Sequence, residues 1–226
     1  MALILCVETA TRNCSVSVSE NGQLMGAIEL EETAYSHAEK LHLFIRDLLK
    51  DLKLTLQDMD AIAVSKGPGS YTGLRIGVSA AKGFCVPLKI PLISIATPEH
   101  MAAGIFRKHP NAKWAAPMLD ARRMEVYCAV YDKHGSAQLP IDARIIEEDF
   151  FSQFSGQIVF GGDGAEKCAE FLQGSERTFD GTIQASAIDM VQLAYEKFQK
   201  GSFEDVAYFD PYYLKDFVAG KPKKLL

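Results

Sequence analysis

The stretch LCVETATRNCSVSVSENG, residues 5–22, decides how the rest of the chain is read. It runs from an apolar segment to an acid, Glu8, crosses a short polar turn, alternates Val with Ser and ends on Asn21-Gly22. The apolar run over 3–9 suits a strand covered on both faces. The Val/Ser alternation over 14–20 has the period of a half-buried strand. Asn-Gly is a strong two-residue hairpin turn, leading into a third strand over 23–30. The same plan returns at PMLDARRMEVYCAVYDKHG, residues 117–135, with Asp120 in the place of Glu8 and a glycine hairpin at Gly135. Acid, turn, alternating strand and hairpin recurring in one order point to a duplicated unit.

The elements that follow each copy extend the repeat. Leu41, Phe44, Ile45, Leu48, Leu49 and Leu52 lie at helical spacing on one face, with Ser36 as N-cap and Glu39 as its capping-box partner. DAIAVSKG, residues 60–67, reads as a central strand entering a glycine-rich turn, and a helix runs from Gly73 to about Val86, closed by Pro87. PLISIAT is a further strand, and PEHMAAGIFRKH a helix with Pro98 in its first turn. In the second half, QIVFGGDGAEKCAEFL, residues 157–172, repeats strand, glycine turn and helix, and a last helix spans about 185–200. Two β-β-β-α-β-α halves with hairpins beside parallel strands predict an α/β chain of two mixed sheets flanked by helices. That is the plan of the actin-like, ribonuclease-H-like fold. The halves are expected at 1–104 and 105–226, the second ending in the basic GKPKKLL.

Composition limits the function. The chain has 226 residues, 48% hydrophobic and 23% charged, with a net charge of −5. A chain that holds nucleic acid unaided shows a basic stripe, because phosphate neutralisation dominates affinity. None is present, so any RNA contact is expected to depend on a partner. The five cysteines are scattered without a C-x-x-C pair, which gives neither a zinc knuckle nor a redox motif and reads as a reducing compartment. The start MALILCVETA lacks a charged leader and reaches Glu8 too soon for a signal, and no apolar run approaches the ~20 residues of a membrane span. A cytoplasmic protein is expected.

The turn SKGPGSYTGLRIG, residues 65–77, invites comparison with a phosphate cradle. Three glycines and Pro68 fall between Gly67 and Gly73, but Leu74 and Arg75 follow where a P-loop has Lys and Ser or Thr, and G-x-G-x-x-G is absent. Ser70 is expected to make a local turn bond. On the following helix, Arg75, Ser79 and Lys82 form one narrow polar stripe, and the remaining surface is apolar or small. A helix apolar nearly all round must be covered on more than one side. The cover is either a layered core or, on one side, another subunit, which Gly73, Gly77 and Ala80 would allow to approach closely.

No catalytic constellation emerges. The acid-bearing turns ETATRN and DARRME lack the glycines with which actin-like kinases wrap phosphate. Asp163 reads as an Asx turn or helix cap. His37 and His42 are five residues apart and face different sides of a helix. His100 in HMAAG has Gly104, not a second ligand, one turn later. G-x-S-x-G is missing.

VETATRNCSVSV, SHAEKL, SKGPGSYTGLRIGVSAAKG and FDPYYLK (209–215) together resemble the TsaB/YeaZ family of bacterial tRNA threonylcarbamoyladenosine biosynthesis proteins. The resemblance implies an actin-like fold without catalysis of its own. It implies pairing with the larger catalytic paralogue TsaD, which transfers threonylcarbamoyl to the adenosine beside the anticodon of ANN-decoding tRNAs, and with the ATPase TsaE. ATP and metal are then expected on those partners, none on this chain, and tRNA is met only through the complex. TsaD carries an H-x-x-x-H metal motif, where this chain has His100 and Gly104. The family's pairing helices correspond to SHAEKLHLFIRDLL and TGLRIGVSAAKGF. They place His37, Leu41, Ile45, Tyr71, Gly73, Leu74, Gly77, Ala80, Ala81 and Phe84 at a partner interface, a surface that can also pair two copies of the chain. Two rival readings use the same fold: a stand-alone ATPase or kinase, which would bind ATP with magnesium, and a glycoprotease-type metallopeptidase, which would retain zinc or iron.

Overall fold

The computed structural model describes residues 1–31 and 37–215. The expected Ser36 cap and the basic end 221–226 lie outside them. The first sheet contains β1 (Leu3–Glu8), β2 (Asn13–Glu20), β3 (Gln23–Glu31), β4 (Ala61–Gly67) and β5 (Leu92–Ala96) in the order β3-β2-β1-β4-β5. The second contains β6 (Trp114–Asp120), β7 (Glu125–Tyr131), β8 (Ala137–Ile145), β9 (Ile158–Gly161) and β10 (Arg177–Asp180) in the order β8-β7-β6-β9-β10. In each, the first two pairs along the hairpins are antiparallel and the inner crossover pairs are parallel, as with Val7↔Val16 and Val7↔Val64 around β1. The duplication expected from residues 5–22 and 117–135 is therefore the architecture.

Helices α1 (His37–Leu52) and α2 (Tyr71–Leu88) cover one face of the first sheet. β1 shows why its sequence is apolar throughout. Leu3, Leu5 and Val7 face α1 and α2, while Ile4 and Cys6 face the other side, against Ala187, Met190 and Ala194. Each such fully buried aliphatic side chain contributes ~1.5–3 kcal/mol. Helix α3 (Thr97–Lys108) follows β5 but packs Met101, Ala102 and Ile105 on the second sheet, against Ala115, Leu119 and Ala129. The last helical segment, a 3-10 turn Ala187–Met190 running into α5 (Val191–Gln199), packs back on the first sheet. The halves thus exchange one helical layer each, and the expected cut at 104/105 falls inside α3.

Two elements differ from their sequence reading. β2 is buried on both faces, because its serines meet main chain: Ser15 Oγ accepts from Ala187 N–H and Ser17 Oγ donates to Ala187 C=O at 2.8 Å. Alternating polarity therefore marks a buried strand in which Ser15 and Ser17 are satisfied internally, while the buried Ser19 hydroxyl has no hydrogen-bond partner among the described residues. The helix expected after Gly162 shrinks to α4 (Asp163–Glu166) and a 3-10 turn Ala169–Leu172. Phe150, Phe151, Phe154 and Phe160 instead fill the outer face of the second sheet. Among the described residues no helix is long and apolar enough to cross a membrane.

Candidate functional site

The glycine-rich turn and the turn after β1 interlock. Ser70 N–H donates to Ala10 C=O at 2.7 Å, and the Thr9 hydroxyl donates to Gly73 C=O at 2.8 Å. A Cβ at Gly69 would overlap Ala10 C=O, and one at Gly73 would overlap Thr9 C=O. Gly67 has φ +108°, and a Cβ there would lie 2.8 Å from Tyr212 C=O. Ser70 caps α2 by accepting from Gly73 N–H at 3.2 Å, the local bond expected of it. A phosphate cradle needs N–H groups converging on open space. Here carbonyl oxygens are packed against glycine backbone, so the glycines serve contact between two turns of one chain.

The chain's own C-terminal segment bonds Arg75 and Lys82 of the α2 polar stripe, while Arg75 and Ser79 stay exposed. Glu204 N–H donates to Leu92 C=O, and Val206 and Phe209 pack on the core beneath α1 and α2. Lys82 Nζ donates to Ala207 and Phe209 carbonyls. Arg75 bonds the hydroxyls of Tyr71 and Tyr213, lies 4.1 Å from the Tyr71 ring centroid, and those two rings are 4.8 Å apart. Tyr212 N–H donates to Lys66 C=O, and Lys215 reaches the second sheet through Ala121 C=O and Glu125. Residues 204–215 form a strap from β5 across α2 to the β6–β7 hairpin. Sequence reasoning found the FDPYYLK motif without its docking site, since its partners lie more than a hundred residues away.

The two acids that end β1 and β6 have different surroundings. Glu8 is fully buried: Oε1 accepts from Ala10 N–H, and Oε2 lies 2.6 Å from His100 Nε2, whose ring is equally buried. The contact is close but is not a hydrogen bond, and His100 Nδ1 is likewise buried without a hydrogen-bond partner among the described residues. Asp120 is exposed. It accepts from Arg122 N–H and pairs with Lys167, and its own N–H donates to Asp163 Oδ1 at 2.9 Å. Burial pushes the Asp120 carboxyl up, but Lys167 and the Arg122 N–H outweigh it and the carboxyl lies below its usual range. Asp163 follows its cap, Gly162, and ties the β6 end down. Gly104 abuts Asp189, whose carboxylate accepts from Arg107 Nε at 2.8 Å. The metal group of an H-x-x-x-H site does not fit here. His100 is engaged by Glu8, position 104 has no side chain, and Asp189 is paired with arginine. Among the described residues no three His, Cys, Asp or Glu side chains converge as a metal site.

The expected interface residues divide by exposure. His37, Leu41, Ile45, Gly73, Leu74, Gly77, Ala80 and Ala81 are buried within the chain, and Tyr71 and Phe84 are half-buried. His37 Nε2 lies 2.7 Å from Thr11 C=O, which fixes the start of α1 to the β1–β2 turn. His42, on another side of α1, is exposed and meets Phe84 edge-on at 5.8 Å, joining the outer surfaces of the two helices. That surface presents Leu43 at 43% exposure, Val86 at 66%, and half-buried Phe44, Ile76 and Phe84.

Comparison with known proteins agrees with this architecture. The family model of TsaD, tRNA N6-adenosine threonylcarbamoyltransferase, matches residues 23–219. The tRNA threonylcarbamoyladenosine biosynthesis protein TsaB of Escherichia coli (strain K12) is 31% identical over 226 residues, covering 96% of both chains. The solved structure of YeaZ from Pseudomonas aeruginosa superposes with a TM-score of 0.82 at 25% identity, covering 95% of this chain and all of that one. The activator of 2-hydroxyisocaproyl-CoA dehydratase from Clostridium difficile, solved with bound ADPNP, shares the fold at a TM-score of 0.54 and 8% identity, covering 89% of this chain and 96% of that one. With its two duplicated sheets and a match along nearly its full length, the chain belongs to the TsaB/YeaZ family, within the wider family described by the TsaD model.

Proposed function

We propose that this chain is the non-catalytic, activating subunit of a complex that forms N6-threonylcarbamoyladenosine beside the anticodon of ANN-decoding tRNAs. It pairs with a TsaD-like catalytic paralogue and works with a TsaE-like ATPase. The observation that carries the reading is the pairing of Glu8 with His100, with Gly104 one turn on and Asp189 held by Arg107. With no side chain at position 104 and Asp189 held by Arg107, no second ligand stands beside His100 among the described residues, which supports a scaffold rather than a metal-dependent transferase. The docking surface is the outer side of α1 and α2, framed by His42, Leu43, Ile76, Phe84 and Val86, over a buried layer of Leu41, Ile45, Leu74 and Ala81. Exposed apolar side chains on two adjoining helices match the anatomy of a protein interface centre. The same surface also serves self-pairing when the partner is absent.

Co-purification with the catalytic paralogue, followed by a modification assay on unmodified tRNA, tests the proposal. The expected results are a stable pair and a raised modification rate, with both lost in Val86→Asp/Leu43→Asp. A chain that neither binds the paralogue nor raises its rate overturns it. Tight magnesium-dependent ATP binding by the isolated chain would favour the kinase-like reading instead.

A further inference from the structure

The β6–β7 hairpin tip, residues 121–124, has the consecutive left-handed backbone of the Asn21-Gly22 turn but builds it from two arginines. Arg122 and Arg123 hold consecutive left-handed conformations, with φ 67° and 53°. Glycine, Asn and Asp are the residues that ordinarily supply such backbone, and two arginines there are strained. Interactions within the tip hold them in place. Arg122 N–H donates to Asp120 Oδ1, Glu125 N–H donates to Arg122 C=O, and Ala121 N–H donates to Glu125 C=O.

Two lysines reinforce the turn from outside it. Lys167 Nζ donates to Arg123 C=O at 3.1 Å and Glu125 C=O at 2.6 Å, and pairs with Asp120. Lys215, at the end of the strap, donates to Ala121 C=O at 3.3 Å and pairs with Glu125. The local acids are thereby matched by lysines. The guanidinium groups of Arg122 and Arg123 are exposed and make no hydrogen bond or ion pair among the described residues. Arg12, exposed on the matching β1–β2 turn, is in the same condition.

We propose that Arg122 and Arg123 are a preorganised contact for the phosphate backbone of RNA. The guanidinium fork matches phosphate oxygens in a bidentate way, and holding the tip rigid removes part of the ordering cost of that contact. On a chain of net charge −5 the contact is confined to a few phosphates. It contributes to holding tRNA only when the catalytic paralogue supplies the rest. The inference rests on the tRNA-modification reading above, and it adds a direct RNA contact to a chain otherwise assigned a scaffolding role.

The test uses the assembled complex with an unmodified tRNA transcript, and measures binding over a series of salt concentrations. In Arg122→Ala/Arg123→Ala, the slope of log K against log salt should shrink by about one for each arginine removed. Arg122→Lys/Arg123→Lys, which keeps the charge, should retain most of the slope. Assembly with the paralogue and the melting temperature should match the unsubstituted chain. An unchanged salt slope in the alanine variant overturns the inference. So does loss of assembly with unchanged melting, because the tip would then be reading a protein surface. Failure of the unsubstituted chain to assemble at all overturns the functional reading, and this inference with it.

Discussion

Gly77 on α2 abuts Thr9 on the turn after β1 so closely that a Cβ at position 77 would overlap the threonine hydroxyl, with Thr9 Cβ 3.5 Å away. The Thr9 hydroxyl is committed to Gly73 C=O, so it cannot turn aside without losing that bond. Gly77→Ala should therefore destabilise the monomer by ~1–3 kcal/mol, the usual cost of overpacking. Thr9→Ala should rescue part of the loss in a double-mutant cycle. Gly73→Ala, which meets the Thr9 carbonyl itself, should cost more and resist that rescue. Denaturant melts of the three single variants and the two doubles with Thr9→Ala decide the matter. If Gly77→Ala left stability intact and weakened pairing, its role would be at a partner surface, as its sequence context also allows.

Glu8 and His100 make a second prediction. Both are wholly excluded from water, with Glu8 Oε2 2.6 Å from His100 Nε2. Removing one of two buried polar neighbours leaves the other facing apolar core, at a typical cost of about 1–3 kcal/mol. His100→Ala and Glu8→Ala should each destabilise by about that much, and the double variant by less than the sum. Chemical denaturation of all three measures the coupling. Simple additivity would mean that the two side chains do not interact energetically.

Much of this arrangement was legible in the sequence, but unevenly. The repeat of residues 5–22 at 117–135 disclosed both sheets, because strand order follows from local alternation and turn chemistry. The apolar girth of α2 correctly announced cover on several sides. What bonds it was hidden: Arg75 and Lys82 read as a plain solvent stripe, yet Tyr213, Ala207 and Phe209 reach them from the far end of the chain. The serines of β2 look like a wet face for the same reason, since Ala187 reaches them across the sheets. The glycines of α2 suggest helix-to-helix approach equally well whether the neighbour is another chain or the Thr9–Ala10 turn. Long-range pairing of polar groups leaves no periodic trace, whereas burial of apolar ones does.

The strap over residues 204–215 yields a third prediction. Its anchors are mostly exposed polar bonds around Arg75, Tyr71 and Tyr213, together with the inserted Val206 and Phe209. Regions held by exposed bonds open at low free-energy cost. Arg75→Ala/Tyr213→Phe should raise amide hydrogen exchange and limited proteolysis between 204 and 215, with the exchange of β1 and β4 unchanged. Equal acceleration in both regions would show that the strap unfolds only with the whole protein.

The cysteines supply the last prediction, which concerns pH. All five are buried, and burial pushes the Cys6 and Cys128 thiols up to about 12 and the Cys85 thiol up to about 11. In the unfolded chain a thiol ionises near 8.5. A raised folded-state value means the unfolded chain binds fewer protons once the pH passes its own pKa. The stability is then fully present below about 8.5 and is lost as pH rises toward 11–12. Folded protein at pH 8 should leave a thiol reagent unconsumed, and denaturant should expose five reactive thiols per chain. Between pH 8.5 and 11 the unfolding free energy should fall steadily, and Cys6→Ala should make that fall shallower. Rapid labelling of native protein, or a flat alkaline profile, would contradict the burial of these thiols.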